Sequence, residues 1–437
     1  MARMQHLTRR GQTWYAIKEV PRPLRDVVGK RRLLKSLQTH SLDEARRKIH
    51  SVIAEWEADW QQVRNEKRTL IRSVVAQALS DRRKLERSPE AVALREHLVE
   101  HAFELKDLYG PDVADRYYAI AIDGDVPVSE GRDRWLAEVR NDHTAQTVSQ
   151  HEVAFRVLLD WTSDGQTVRA LTRRKAGEFV ERCLIPSGRA TKTIKRYCSS
   201  LSSCWTWMIS RGLATENPWT GLNIGLRSRN RIQRREGRQG LPDDKLIALL
   251  SMPPEGKYGD VLYDLVRMEL CTGCRLDELC SLTTDDVWTD DDGLWFHIGK
   301  GKTEAATRDV PVHEWVAPIF LRRIEKPGLL FPNLVPGGRD DKLSAYVTKA
   351  YRTFRNNAGV RGRYEDFHAL RSTFTEAMEG AGVPVSTVKL LVGHRRDDIT
   401  FGRYSRGKRV DLRKAMDQLS YSPKVIELIQ KPLPGSL

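Results

Sequence analysis

Apolar positions along this chain recur mostly at helical spacing, and in two places the period drops to two. Near the start, residues 13–20 (Thr-Trp-Tyr-Ala-Ile-Lys-Glu-Val) and 31–39 alternate as short strands, separated by Pro21, Pro23 and Gly29. From Ser41 to Asn65 the pattern becomes helical. Ala45, Ile49, Ile53 and Trp56 share one face, and Ser41 is the expected N-cap, with Glu44 three positions on. Residues 66–127 read as helices broken at Ser88-Pro89 and Gly110-Pro111. From Val128 to Leu226, short helices place Trp135, Phe155, Leu158, Leu159 and Trp161 in a core. The helix predicted over Thr191–Met208 turns Leu201, Trp205 and Met208 inward and Lys192, Lys195 and Arg196 outward. Helical structure must stop by Asn217-Pro218, because proline disfavours the helical conformation of the residue before it.

The second half is more sharply punctuated. Leu262–Cys271 reads as a helix ended by Gly273, and Arg275 opens the next turn with Leu276, Leu279 and Leu282 facing the core. An arginine at a helix start sees backbone N–H groups pointing the same way, a ready anion site. Trp295–Ile298 and Arg308–Val312 alternate as paired strands around the turn Gly299–Thr307. His368 and Arg371, three apart, share one face of a helix capped by Asp366 and ended by Gly380. A further helix, Val385–Val392, stops at Gly393 and leaves His394 just past its end. Val410–Leu419 is again helical, and an apolar segment follows at 423–429. The predicted fold class is mainly α with small β elements (α+β). Its expected order is a small β/α module at 1–65, a helical connector at 66–127 and a helical domain at 128–226. A linker at 227–240, a mixed helical domain at 241–419 and a tail at 420–437 complete it.

Length and charge sharpen this picture. A chain of 437 residues exceeds one ordinary core. No apolar run reaches membrane length, and the basic start lacks the apolar stretch of a signal peptide, so a cytoplasmic protein is expected. Six cysteines in so long a chain give no disulfide framework. The net charge of +15 is concentrated. Residues 1–35 hold ten Lys and Arg against Glu19 and Asp26, and 225–240 hold six arginines against Glu236. Basicity gathered at one end and in a linker points to polyanion contact.

The candidate chemistry lies in 37 residues, from His368 through Arg371 and Val-Gly-His at 392–394 to Gly-Arg-Tyr-Ser at 402–405. Upstream stand Thr-Gly-Cys-Arg-Leu-Asp-Glu-Leu at 272–279 and Gly-Lys-Gly-Lys-Thr at 299–303. Cleaving a phosphodiester with a side chain needs a deprotonated nucleophile, neutralised non-bridging oxygens and a protonated leaving alkoxide. Tyrosine, with a free pKa near ~10, attacks at neutral pH only among cations. Two arginines can each offer a planar fork to a phosphate, which lysine cannot.

The order Arg, Lys, His-x-x-Arg, Gly-His, Tyr resembles the tyrosine recombinase (phage integrase) family, strongly over about the last 180 residues and more weakly over the preceding hundred. The resemblance implies Tyr404 as nucleophile, forming a 3′-phosphotyrosyl bond and freeing a 5′-hydroxyl. Arg275 and Arg371 would hold the non-bridging oxygens, and Lys302 would protonate the leaving oxygen, with Lys300 as the alternative. His368 would assist proton transfer from the tyrosine, and His394 would hydrogen-bond the phosphate. The interval from His394 to Tyr404 is ten residues, where many members have nine, which fits one extra residue in the turn. No cofactor is implied, neither metal nor nucleotide, because the phosphotyrosine keeps the bond energy for rejoining.

Residues 1–65 resemble the arm-DNA-binding modules that precede many integrases, with Arg22, Arg25, Lys30, Arg31, Arg32 and Lys35 as DNA contacts near Trp14 and Tyr15. Residues 128–226 resemble the helical core-binding domain, with Lys192, Lys195 and Arg196 toward DNA. Arg227, Arg229, Arg231, Arg234, Arg235 and Arg238 would track the backbone from the linker. The partners implied are double-stranded DNA at core and arm sites, three further copies in a DNA-bound tetramer, and an accessory directionality factor. The setting implied is a bacterial nucleoid. The apolar tail must dock either on its own subunit or, as the resemblance suggests, on a neighbour.

Two other activities fit the same chemistry or fold: relaxation in the manner of a type IB topoisomerase, and DNA-binding regulation without catalysis. The arm module and helical domain argue against the first, and the full set of catalytic side chains against the second. Cys271-x-x-Cys274 with Cys280 lacks a second ligand pair and reads as structural thiols. Asp285, Asp286 and Asp290–Asp292 read as a solvated turn.

Overall fold

The computed structural model describes residues 6–21, 24–162, 164–222, 239–253, 255–299, 307–394 and 409–434. The chain divides into two compact units, Met1–Arg227 and Ser228–Leu437. Among the described residues no helix is long and apolar enough to cross a membrane.

The first unit opens with an antiparallel sheet in the order β1 (Leu7–Arg10), β2 (Thr13–Glu19), β3 (Arg32–Ser36). Tyr15 pairs with Ser36 across the last two strands. Two short elements had no signal in the sequence. β1 carries too little alternation, and α1 (Arg25–Val28) is a single helical turn. Alternation in β2 buries Trp14 and Ala16 against Ala45, Ile49, Trp56 and Trp60 of α2 (Leu42–Arg87). Ser41 caps this helix by accepting from the Glu44 N–H. The helix does not end at Asn65. It continues to Arg87, 46 residues and about 70 Å in all. No glycine or proline interrupts it, and Ile71, Val74, Ala78 and Leu85 extend an apolar face. That second half packs on α3 (Ala91–Tyr109) and α4 (Pro111–Ala121). The breaks fall at Ser88-Pro89 and Gly110-Pro111, as their prolines require.

A separate core follows from α5 (Val128–Asp142), α6 (Ala145–Trp161), α7 (Arg173–Phe179) with a π-helical turn at Val180–Leu184, and α8 (Thr191–Ser210). Trp135, Phe155, Leu158, Trp205 and Met208 are buried there, while Leu159 and Trp161 are only partly covered. α8 exposes Lys192 and Arg196 and half-buries Lys195.

The second unit packs helices around a small sheet. α9 (Asp243–Ser251), α10 (Gly259–Thr272) and α11 (Leu276–Cys280) precede the antiparallel strands β4 (Val287–Asp290), β5 (Gly293–Ile298) and β6 (Arg308–Pro311). Ile298 pairs with Arg308, as the expected strands require, and residues 300–306 of the expected turn lie outside the described residues. Then come α12 (Ala317–Arg323), α13 (Ser344–Asn357), α14 (His368–Gly380), α15 (Val385–Val392), α16 (Arg409–Met416) and α17 (Pro423–Gln430). The apolar tail docks on its own unit. Val425, Leu428 and Ile429 are buried in the same core as α9 and α10. Arg267 on α10, buried and stacked on Tyr263, donates to Leu250 O and Leu428 O near the ends of α9 and α17. A cation at two helix C-termini meets two partial negative charges.

Candidate active site

Arg275, His368, Arg371 and His394 lie on described residues of the second unit. Tyr404, Lys302 and its alternative Lys300 lie outside them, as do Arg22, Arg227, Arg229, Arg231, Arg234, Arg235 and Arg238.

Two helices end where they do because of glycine, and both ends face Arg371. α10 ends at Gly273, which is left-handed (φ +61°) and touches the Phe374 ring closely enough that a Cβ would collide. α15 ends at Gly393, also left-handed at +68°, where a Cβ would collide with the Arg308 guanidinium. The carbonyls exposed by these terminations, Gly273 O and Val392 O, each accept from Arg371 at 2.6 Å. The guanidinium is thus fixed between the negative ends of two helices. Arg371 is 2% exposed. Burial, then the neighbouring Arg275, lowers its pKa to about 10, so it stays charged at neutral pH.

Arg275 occupies the N-cap of α11. The anion site expected at this helix start is filled from within. Glu278 accepts from the Arg275 N–H at 3.0 Å and from its Nη1 at 2.6 Å. A third arginine, Arg308, reaches in from the first residue of β6. It donates to Leu391 O at 2.7 Å, to Glu278 Oε2 at 2.9 Å and to Cys274 Sγ at 3.3 Å. Burial would raise the Glu278 carboxyl, but Arg308 and Arg275 together hold it below its usual range. Sequence reasoning gave neither residue a role. Glu278 had a signal, since an acid three past a helix start completes a capping box. Arg308 had none beyond its place at a strand end.

His368 begins α14 and is exposed. Phe367 stands at the N-cap position, in helical backbone conformation and without a side-chain bond, and Asp366, the expected cap, lies one residue further out. His394 follows Gly393, and its N–H donates to Lys389 O at 2.9 Å as the helix closes. That backbone bond fixes where the imidazole leaves the helix. Burial, and then the charges of Arg371, Arg275, His368 and Arg308, lower the His394 pKa, so the ring is neutral at neutral pH and can donate one N–H. The four described candidates therefore share one electrostatic neighbourhood, with Arg308 added to it.

Elsewhere the basic candidates are less concentrated. Arg25 donates to Val20 O, Arg32 pairs with Glu19 and Lys35 with Glu55, while Lys30 and Arg31 are exposed. Cys271, Cys274 and Cys280 are buried free thiols, and burial pushes each of them up.

Comparison with known proteins agrees with this geometry. Residues 241–409 match the model of the phage integrase family, and residues 6–65 match that of a domain of unknown function (DUF6538). A tyrosine recombinase of Thermosipho africanus is 26% identical over 277 residues, covering 60% of this chain and 88% of the relative. Tyrosine recombinase XerC of Xylella fastidiosa is 27% identical over 279 residues, covering 59% and 86%. Among solved structures, the Tn1549 transposon integrase in complex with circular intermediate DNA shares the fold. Its TM-score is 0.50 at 19% identity, over 67% of this chain and 99% of that one. With an arginine-bearing helix start, a His-x-x-Arg helix and a Gly-His helix end gathered in its second unit, the chain carries at 241–409 a domain of the phage integrase family and is a tyrosine-type site-specific recombinase.

Proposed function

We propose that the chain cuts and rejoins double-stranded DNA through a 3′-phosphotyrosyl bond at Tyr404, in the integration or excision of a mobile element. The observation that carries this reading is the buried Arg371 guanidinium held between Gly273 O and Val392 O, with Arg275 beside it and His394 leaving the same end of α15. A pentavalent phosphorane gathers negative charge on its non-bridging oxygens, and such a cluster stabilises that charge more than it stabilises the ground state.

In this reading the Tyr404 oxygen attacks phosphorus, with His368 assisting removal of its proton. Arg275 and Arg371 hold the non-bridging oxygens, and His394 donates a hydrogen bond to one of them. The bond to the 5′ oxygen breaks, and Lys302 supplies the proton that oxygen needs. The incoming 5′-hydroxyl of another strand reverses the sequence. Residues 1–65 bind a separate arm site through Arg25, Lys30, Arg31, Arg32 and Lys35 together with Arg22. Lys192, Lys195, Arg196 and the linker arginines follow the core-site backbone. Exchange takes place in a tetramer on DNA, with an accessory factor setting direction.

The test is a nicked duplex drawn from the DNA flanking the chain's own gene, incubated with protein and then denatured. A covalent adduct mapping to Tyr404, absent from Tyr404→Phe while DNA affinity is retained, supports the reading. An adduct with the Phe variant, through Tyr421 or Tyr364, overturns the nucleophile. Sequence-independent relaxation of a supercoiled plasmid would place the chain with topoisomerases instead.

A further inference from the structure

β6 carries two adjacent charged residues that a strand sends to opposite faces. Arg308 turns to Glu278 and the end of α15, as described above. Asp309 turns the other way. Its Oδ1 accepts from His297 Nδ1 at 2.8 Å, and its Oδ2 accepts from Arg409 Nη2 at 2.8 Å. His297 lies on β5, so one carboxylate spans both strands of the hairpin and the first residue of α16. The Arg409 guanidinium lies over Trp288 at 5.2 Å and Trp295 at 5.8 Å, and its Nη1 is 3.6 Å from Asp290.

The positions of these residues in the chain give the contact its interest. Asp309 stands seven residues after Lys302, and Arg409 stands five after Tyr404. The pair therefore joins the described edges of the two segments that hold these side chains. We propose that Asp309 is a positioning residue for strand transfer, which through Arg409 fixes the start of α16 against the base of the lysine hairpin. The proposal rests on the reading of Lys302 as acid and Tyr404 as nucleophile. General acid and nucleophile act on opposite sides of one phosphorus, so a small error in their mutual placement is costly in rate.

The contact is not needed to hold α16 on the sheet. Arg413, one turn later, donates to Val312 O at 2.7 Å and Leu294 O at 2.5 Å and stacks on Trp295. Ala415, Met416 and Leu419 are buried in the core. Arg409 is 49% exposed and Asp309 28%, and half-exposed pairs add little to global stability. Burial works against the Asp309 charge, but His297 and Arg409 more than offset it and hold the carboxyl below its usual range.

The experiment uses the full chain and the same nicked duplex, with single-turnover adduct formation followed at increasing DNA concentration. Asp309→Asn and Arg409→Gln are each expected to slow adduct formation about 10- to 100-fold at saturating DNA, with half-saturation and melting temperature unchanged. The double variant should be no slower than either single, and Asp309→Glu should recover most of the rate. Unchanged rates at saturating DNA, or losses that multiply in the double variant, overturn the proposal. A fall in melting temperature that tracks the rate loss, without rescue by Glu, reduces the contact to a structural one and also overturns it. Tyr404→Phe run alongside separates the premises, since an adduct that persists there removes the nucleophile reading whatever the Asp309 variants do.

Discussion

Arg308 Nη2 lies 2.9 Å from Glu278 Oε2, and the two side chains are 7% and 6% exposed. Glu278 also binds Arg275, so this buried pair ties the lysine hairpin to the arginine at the start of α11. Burying two charges is offset only while both are present. Removing one partner of such a pair typically costs about 3–5 kcal/mol. Arg308→Ala should therefore lower unfolding free energy by that order in urea titration and lower adduct yield as well. A loss below about 1 kcal/mol, the scale of an exposed pair, would show that the pair is not holding these elements together.

Arg371→Lys tests the guanidinium held between Gly273 O and Val392 O. Lysine keeps the charge but cannot bind both carbonyls and present a fork to phosphate. Cleavage should fall roughly 10²–10³-fold, the range for losing one oxyanion contact. DNA affinity, spread over many cations, should change far less. Near-normal single-turnover cleavage would remove Arg371 from the phosphate clamp.

His313 gives the second unit an acid sensitivity. Its Nδ1 accepts from the Trp315 N–H, which requires a neutral ring, and it is 3% exposed. Burial, then the Arg413 charge, lowers its pKa from 6.5 to about 4. Below 6.5 the unfolded chain takes up a proton that the folded chain refuses. Stability contributed by this group is therefore fully present above 6.5 and is lost as pH falls toward about 4. The slope approaches about 1.4 kcal/mol per pH unit at most. His394, shifted in the same direction, adds to it. Urea titrations from neutral pH down to about pH 5 should show the decline, and His313→Asn, which can still cap, should flatten it. An unchanged slope in that variant would assign the sensitivity elsewhere.

Truncation after Ser420 removes Val425, Leu428 and Ile429 from the core and leaves Arg267 without its Leu428 acceptor. Three buried aliphatic side chains at roughly 1.5–3 kcal/mol each amount to most of a domain's net stability. The truncated chain should lose cooperative unfolding of the second unit or melt far lower. A truncated protein that melts like the full chain would show that burial of the tail adds nothing to the stability of the second unit.

Some of this molecule was decided by signals within one turn of helix or one step of strand. Ser41 with Glu44, the glycines at 273 and 393, and the alternation on either side of 299–307 each set a boundary that the folded chain keeps. These are local rules, in which a residue's own conformational freedom or a partner three positions away decides the outcome. The spacing of His368 and Arg371 put both on one helix for the same reason. Local rules also misled. A helix ending near Asn65 looked complete because its capped, apolar-faced stretch was long enough, yet α2 continues because α3 and α4 cover its second half.

What only the tertiary structure decided is how distant charges and apolar ends find their partners. Arg308 meets Glu278 across 30 residues and Leu391 across 83. Asp309 meets Arg409 across 100 residues, and Arg267 meets Leu428 across 161. No periodicity encodes such pairs, because nothing in an arginine's own side chain or its sequence neighbours says whether it will be buried. Burial makes the difference. Once packing removes water from a guanidinium, it must take whatever carboxylate or helix-end carbonyl the fold brings within reach, and that choice exists only in three dimensions.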